Sequence, residues 1–473
     1  MDRKIILFEL NEVPWRIIDQ YCQWAPQSPL ARRLKECRQF ETYTEDTGHL
    51  SPWITWPSLH RGVPDEQHFI GNFGQDLTQV DKDFPPVWRL LAQAGVTTGV
   101  CGSLHSYPMP QDLNGYAFYL PDTFAAGSEC FPNKLSIYQD FNLRMVRDSA
   151  RNISLKVPWA STLNFLRNAG ELGLRFRTFL DVGKQLVSER MKSWRKVRRR
   201  TYQTVLAFDV FMKQLETTKP GFTTFFTNHV ASSMHRYWAA AFPSDYEAFG
   251  YDNEWVKTFG DEIRFTMGKF DEFFGRLLAF ADRNPEYTVW IATSMGQAAT
   301  QAQPLETQLY VTDVPRFMGR LGLTEADWSP RPAMLPQCNV FVVPEKIDAF
   351  RERLDKLVID GRPFRYRQRE AGFFSLDFGH NNLHHKPQTV ELDGQTLGFA
   401  ELGLKTVEIE DKSSSSAYHI PNGSLLIYDP KNRTPLKTRT QVSTLEITPT
   451  ILRNFSVPAP GYMKTPAPLL TSA

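Results

Sequence analysis

The sequence predicts an α/β fold: a mostly parallel sheet sandwiched by helices, with a helical insertion and a smaller α/β insertion. Three observations predict it. Short apolar runs bounded by turn residues recur at 5–8, 96–101, Phe222–Thr227 and Tyr287–Ala292, the pattern of strands buried on both faces. Helical segments with one apolar face lie between them, as βαβ connections require. Polar and ionisable residues gather directly after several of the runs, where open parallel sheets hold ligands.

The chain has 473 residues, 22% of them charged, and is long enough for two or three sub-domains around a large core. A formal net charge of +2 gives no whole-protein argument for nucleic acid. Five cysteines (Cys22, Cys37, Cys101, Cys130 and Cys338) are scattered and never form a CxxC pair. That fits a reducing compartment and offers no thiolate zinc site. The apolar run 5–8 is cut short by Glu9, so it does not read as a signal peptide, and no segment reaches the length of a membrane span. The expected location is the cytoplasm.

Taken in order, residues 4–9 read as a buried strand that delivers Glu9, Asn11 and Glu12 at its end. Next comes Ser51-Pro-Trp-Ile-Thr-Trp-Pro-Ser-Leu-His-Arg-Gly62, a stretch punctuated by proline and glycine. Thr55 and Ser58 are hydroxyl groups that need a base or a metal to become nucleophiles, and His60 and Arg61 are placed to hold an anion. A helix over 87–94, Gly95 and a strand over 96–101 continue the α/β rhythm. Residues 107–220 break it: turn-rich loops give way to helix from about 161 to 215, read as an insertion or cap. The basic run 192–200 inside it reads as a solvated face, with a polyanion or membrane-surface contact as the alternative.

The strand Phe222–Thr227 empties into Asn228-His-Val-Ala-Ser-Ser-Met-His-Arg-Tyr-Trp238, which offers Asn228, His229, His235 and Arg236. Val256, Phe259, Ile263, Met267, Phe270, Phe274 and Leu277 then form one apolar helical stripe, which is core. A small α/β unit is expected over 321–379, followed by a loop with His380, His384 and His385 that either binds metal or is a polar surface loop. The serine run 413–416 before His419 suggests a mobile loop facing the site. The expected units are 1–106, 107–220, 221–320, 321–379 and 380–473.

The order and wording of these motifs resemble the alkaline phosphatase superfamily, most closely its type I phosphodiesterase/nucleotide pyrophosphatase branch. Thr55-Trp-Pro-Ser resembles the branch's nucleophile motif, with Thr55 at the nucleophilic threonine. Ala231-Ser-Ser-Met-His235 stands where the branch has Asp-x-x-Gly-His, and Thr293-Ser-Met-Gly296 where it has Ser-Asp-His-Gly. His419-Ile-Pro-Asn-Gly423 resembles the late His-x-Pro-x-Gly motif.

The resemblance implies an alkaline phosphatase-like fold and two metal ions. One ion's positions fall on Asn11, Thr55, Ser294 and Met295, three of them neutral and poor as ligands. The other's fall on Ala231, His235 and His419, so two imidazoles survive, and a third ligand has to come from His229, His380 or a nearby carboxylate. The cofactor expectation is therefore one zinc-like divalent ion or none.

Three readings follow. The chain is a hydrolase or transferase acting on a phosphodiester, pyrophosphate or nucleotide-sugar-like small molecule. In this reading Thr55, Glu9, Asn11, His229 and His235 carry the chemistry, and Ser58, His60, Arg61, Asn228 and Arg236 hold the substrate. A metal-free variant uses acid–base chemistry on a glycan. Alternatively the chain is a pseudoenzyme that binds a ligand, or a structural subunit.

Overall fold

Lys4–Leu10 (β1) is shielded from solvent along nearly its whole length, which demands an apolar run rather than alternation. The computed structural model describes residues 3–147, 159–333, 335–433 and 438–468. In it β1 sits inside an eight-stranded sheet. Its other strands are Cys37–Tyr43 (β2), Thr98–Cys101 (β3), Tyr116–Leu120 (β4), Phe222–Thr227 (β5), Tyr287–Ala292 (β6), Asn422–Tyr428 (β7) and Thr440–Ser443 (β8). The spatial order is β8-β2-β7-β6-β1-β5-β3-β4, with β7 antiparallel to both neighbours and every other pairing parallel. The expected α/β class with a mostly parallel sheet is what the chain forms.

Register sets the position of the site. Leu10 pairs with Thr227 and Glu9 with Ala292, so β1, β5 and β6 end level with one another. β7 runs the other way and enters the sheet at that same edge. It brings the segment around His419 to the place where β1, β5 and β6 finish.

Alternation along β1 divides the core. Ile6 and Phe8 face an aromatic layer with Phe208, Phe225, Phe270 and Phe273, while Ile5 and Leu7 face Trp56, Trp88, Phe222 and Leu452. The expected apolar stripe from Val256 to Leu277 is split between two helices, Asn253–Phe259 and Glu262–Arg283, with the break at Gly260, the residue with the weakest helix preference there.

The 107–220 region departs from its expected form. β4 lies inside it, yet it is an edge strand of the main sheet, and its turn-rich flanks hid it from a reading by periodicity. Helix begins at Ser136–Arg147, earlier than expected, and Arg199–Thr218 buries Val205, Phe208, Phe211 and Leu215 in the same layer as Phe8. A third apolar cluster runs from Leu309 to Leu404 around two small antiparallel sheets and the helix Ile347–Asp355.

Gly423 opens β7 where three strands meet. A Cβ there would stand 2.0 Å from Thr293 Oγ1 and 2.7 Å from Thr42 Oγ1. Gly423→Ala is expected to lose ~1–3 kcal/mol of stability, as overpacking of a closed site does. Urea denaturation reads this directly, and an unchanged midpoint would mean that the β2–β7–β6 junction relaxes freely.

Candidate metal centre

Glu12 follows β1 with φ at 60°, the left-handed region that a non-glycine residue enters at a cost of about 1–3 kcal/mol. That backbone turn aims its buried carboxylate across the sheet edge. Glu12 Oε2 lies 3.0 Å from His235 Nε2 and 3.4 Å from His419 Nε2. The two imidazoles come from elements far apart in sequence, the helix His229–Ala241 after β5 and the strand Ala417–Ile420 before β7.

Both rings are held by their other nitrogen. His235 Nδ1 is 2.8 Å from the Ala417 carbonyl, and His419 Nδ1 is 2.7 Å from the Leu50 carbonyl. A carbonyl only accepts, so each Nδ1 carries a proton and each Nε2 is turned toward Glu12. Such an outer partner fixes the tautomer that a metal-ligating histidine needs.

Burial pushes the Glu12 carboxyl up, but His419 and His235 beside it outweigh burial and hold it well below the usual carboxylate range. For His419, burial is overcome by the Glu12 charge, and its pKa is raised.

The carboxylate is itself anchored. Asn11 Nδ2 donates to Glu12 Oε1 at 2.7 Å, and Gln297 donates to Oε2. Gln297 Oε1 is buried without a hydrogen-bond partner among the described residues. Two Nε2 atoms and one carboxylate oxygen form a His2Glu set that suits zinc. Ligands of a tetrahedral zinc ion stand ~3.3 Å apart, close to the two observed contacts. The residues therefore fit one zinc-like divalent ion.

The serine run is hydrogen-bonded to its surroundings. Ser416 N donates to the His235 carbonyl at 2.6 Å, Tyr246 donates its hydroxyl to the Ser416 carbonyl, and Ser413 Oγ donates to Asp411 at 2.8 Å. These bonds tie the His235 helix to the His419 strand.

The first ion's positions in the implied pair are closed by protein contacts. Thr55 Oγ1 and Ser294 Oγ are hydrogen-bonded at 2.7 Å, both fully buried, and Met295 is an apolar core residue. Asn11 accepts from Trp56 Nε1 at 2.8 Å and donates to Asn228 Oδ1 at 2.7 Å.

Thr55 lies on a helix, Pro52–Arg61, ended by Gly62 in the left-handed region, not on a loop. Pro57 inside it has no N–H, which frees the Trp53 carbonyl, and His105 Nε2 donates there at 2.9 Å.

The other residues on that helix diverge. Ser58 donates to Asp46 at 2.7 Å and lies 2.9 Å from His68 Nε2, whose Nδ1 accepts from Ile70 N. His68 thus carries its proton on Nε2 and is no base for Ser58. His60 Nε2 lies 2.8 Å from Glu9 Oε1, with both side chains sealed in the core. Arg61 is buried and clasps Asp81 at 2.7 Å and the Phe84 carbonyl, and Arg236 bonds Ser232 on its own helix.

His229 points away from the cluster, against Phe273 and Thr227. His384 and His385 sit beside Glu306, which also pairs with Lys412, in a group that does not include His380. The structure therefore unites Glu12, His235 and His419, with Asn11 and Gln297 in support. The Gln297 contribution went unread, and Glu12 was legible only as an acid past a strand end.

Burial pulls His229 and His105 down to about 3. A base with a depressed folded pKa stabilises the fold above its unfolded pKa of about 6.5, and that stability drains away as pH falls toward 3. Denaturation midpoints are expected to fall steeply below pH 6. His229→Gln should flatten that slope, and an unaltered slope would show that other groups set it.

No protein-family model and no curated protein matches the chain. Among solved structures it is similar to murine ectonucleotide pyrophosphatase/phosphodiesterase 5, with 9% identity, 97% of this chain and 96% of that one covered, and a TM-score of 0.40. It is also similar to phosphonoacetate hydrolase from Sinorhizobium meliloti 1021 in complex with phosphonoformate, with 11% identity, 94% of each chain covered and a TM-score of 0.42.

Proposed function

We propose that this chain is a hydrolase or transferase acting on a phosphodiester, pyrophosphate or nucleotide-sugar-like substrate, with a single divalent ion held by Glu12, His235 and His419. The observation that carries this reading is the pair of imidazoles locked by backbone carbonyls so that both Nε2 atoms face one buried carboxylate oxygen. When bound, a divalent ion held by these three residues would supply Lewis-acid chemistry toward a phosphoryl group.

The chain's own residues do the rest. Asn11 and Gln297 hold both Glu12 oxygens. Ser294 orients the Thr55 hydroxyl, although a hydroxyl pair supplies no base. The half-exposed ring of Tyr418 stacks on His419 at 4.2 Å and stands 5.8 Å from His235, forming a wall at the mouth of the cluster.

The burial of Thr55 favours a second reading, in which the centre binds a phosphorylated ligand without turning it over. Acid–base work on a glycan through Glu9 or His229 is less supported, because both side chains are packed in the core.

Metal-stripped protein titrated with zinc is expected to take up about one equivalent, and the loaded protein to cleave bis(4-nitrophenyl) phosphate or a dinucleoside pyrophosphate. His235→Ala should lose both properties, and Thr55→Ala only the second. Zinc uptake without turnover would favour the binding role. No zinc uptake would end the metal reading.

A further inference from the structure

The helix Phe176–Met191 is packed inside out. Phe176, Phe179, Leu180, Leu186, Val187 and Met191 are all exposed, Phe176 at 76% and Met191 at 80%. At about 100° per residue these six fall within an arc of ~140°. The opposite side, turned to the protein, is polar. Thr178 donates to Asp209 there, Gln185 bonds Glu189 at 2.9 Å, Glu189 pairs with Arg199 at 2.7 Å, and Asp181 lies 3.7 Å from Lys269. An amphipathic helix docks its apolar face on the core unless that face has another partner. Here the docking is done by ion pairs and hydrogen bonds, and the apolar face is left outward.

The charges around that face are of one sign. Arg177, Lys184, Arg190 and Lys192 are exposed and form no ion pair among the described residues, while both carboxylates of the helix are turned inward. In the basic run that follows, three cations are paired with carboxylates. Lys196 pairs with Glu410, Arg198 with Glu262 and Arg199 with Glu189, and Arg195 donates to Ser188. Arg177, Lys184 and Arg190 belong to the apolar helix itself, and Lys192 caps its C-terminal end.

We propose that this face is a docking surface for an anionic lipid bilayer, with the helix lying in the plane of the headgroups. Its apolar side chains enter the acyl boundary, and Arg177, Lys184, Arg190 and the capping Lys192 meet lipid phosphates. The same charges argue against a second copy of the chain as the occupant, since a two-fold pairing would set basic rims face to face. No helix among the described residues is long and apolar enough to cross a membrane, so the contact is one of surface attachment.

Flotation of the full chain with phosphatidylglycerol–phosphatidylcholine vesicles tests this against pure phosphatidylcholine vesicles. Binding to the anionic vesicles is expected to be at least ~10-fold stronger and to weaken as salt rises. Leu180→Glu with Val187→Glu should abolish flotation with the thermal midpoint unchanged, because both side chains are already in solvent. Lys184→Glu with Arg190→Glu should remove the preference for anionic lipid. Absence of flotation with anionic vesicles would overturn the proposal, as would flotation that survives the Leu180/Val187 pair. A wild-type dimer that the same pair dissociates, with no vesicle binding, would assign the face to self-association instead.

Discussion

Glu12→Gln is expected to strip the divalent ion from the protein while leaving the fold in place. Glutamine keeps the shape and the hydrogen bond from Asn11, but it removes the only charge shared by His235 and His419. Losing an outer-shell partner already costs ~10–100-fold in metal affinity, so losing the sole anionic ligand should cost more than ~100-fold. The fold should survive because a glutamine NH2 at the Oε2 position can donate to an imidazole Nε2 once the Gln297 amide turns over to present its Oε1 there as an acceptor. Zinc titration calorimetry with urea denaturation in parallel separates the two effects. Parent-like zinc affinity in Glu12→Gln would remove Glu12 from the ligand set, and with it the explanation of how the site survives Ala231.

His60→Ala is expected to carry one of the largest stability penalties in the chain. The ring is packed between Trp56 at 5.5 Å and Trp88 at 4.7 Å, and it is the hydrogen-bond partner of Glu9, whose Oε2 has no partner of its own. Removing one member of a buried pair leaves the other group desolvated and unmatched, typically ~3–5 kcal/mol. Glu9→Ala should cost a similar amount, and the double variant clearly less than the sum, since the two share one interaction. Additive losses would show that the two side chains act independently. Activity measured where the variants remain folded decides the role of Glu9. Unchanged turnover in Glu9→Gln marks a structural pair, whereas lost turnover at full stability marks a group in the chemistry.

The strands that matter most were legible because their covering is one-dimensional information. β1, β5 and β6 are buried on both faces, so each must be an apolar run, and 4–9, 222–227 and 287–292 stand out as such. β2, β4 and β8 were not legible. β2 alternates polar and apolar residues, β4 is a short edge strand hidden among turn residues, and β8 is a short edge strand whose partner, β2, lies some four hundred residues away in the chain. The site divides in the same way. His235 and His419 were marked by motif. Glu12 was one of two acids at a strand end, and the other, Glu9, looked equally suited to chemistry. A left-handed φ at Glu12 sends one carboxylate to the imidazoles, while the inward pleat of β1 sends the other to His60.

By itself, then, the sequence determined the class of fold, the edge of the sheet where ionisable groups gather, and two of three candidate ligands, because burial and motif are written along the chain. Only the tertiary structure decided which carboxylate joins them, that Thr55 is held by Ser294, that Arg61 clasps Asp81, and that His229 packs against Phe273. Side-chain direction depends on backbone dihedrals and on partners distant in sequence, and neither is encoded in local pattern. The outward helix Phe176–Met191 makes the point once more. Its apolar stripe is plain in the sequence, and only the ion pairs on its polar side show that the stripe faces away from the core.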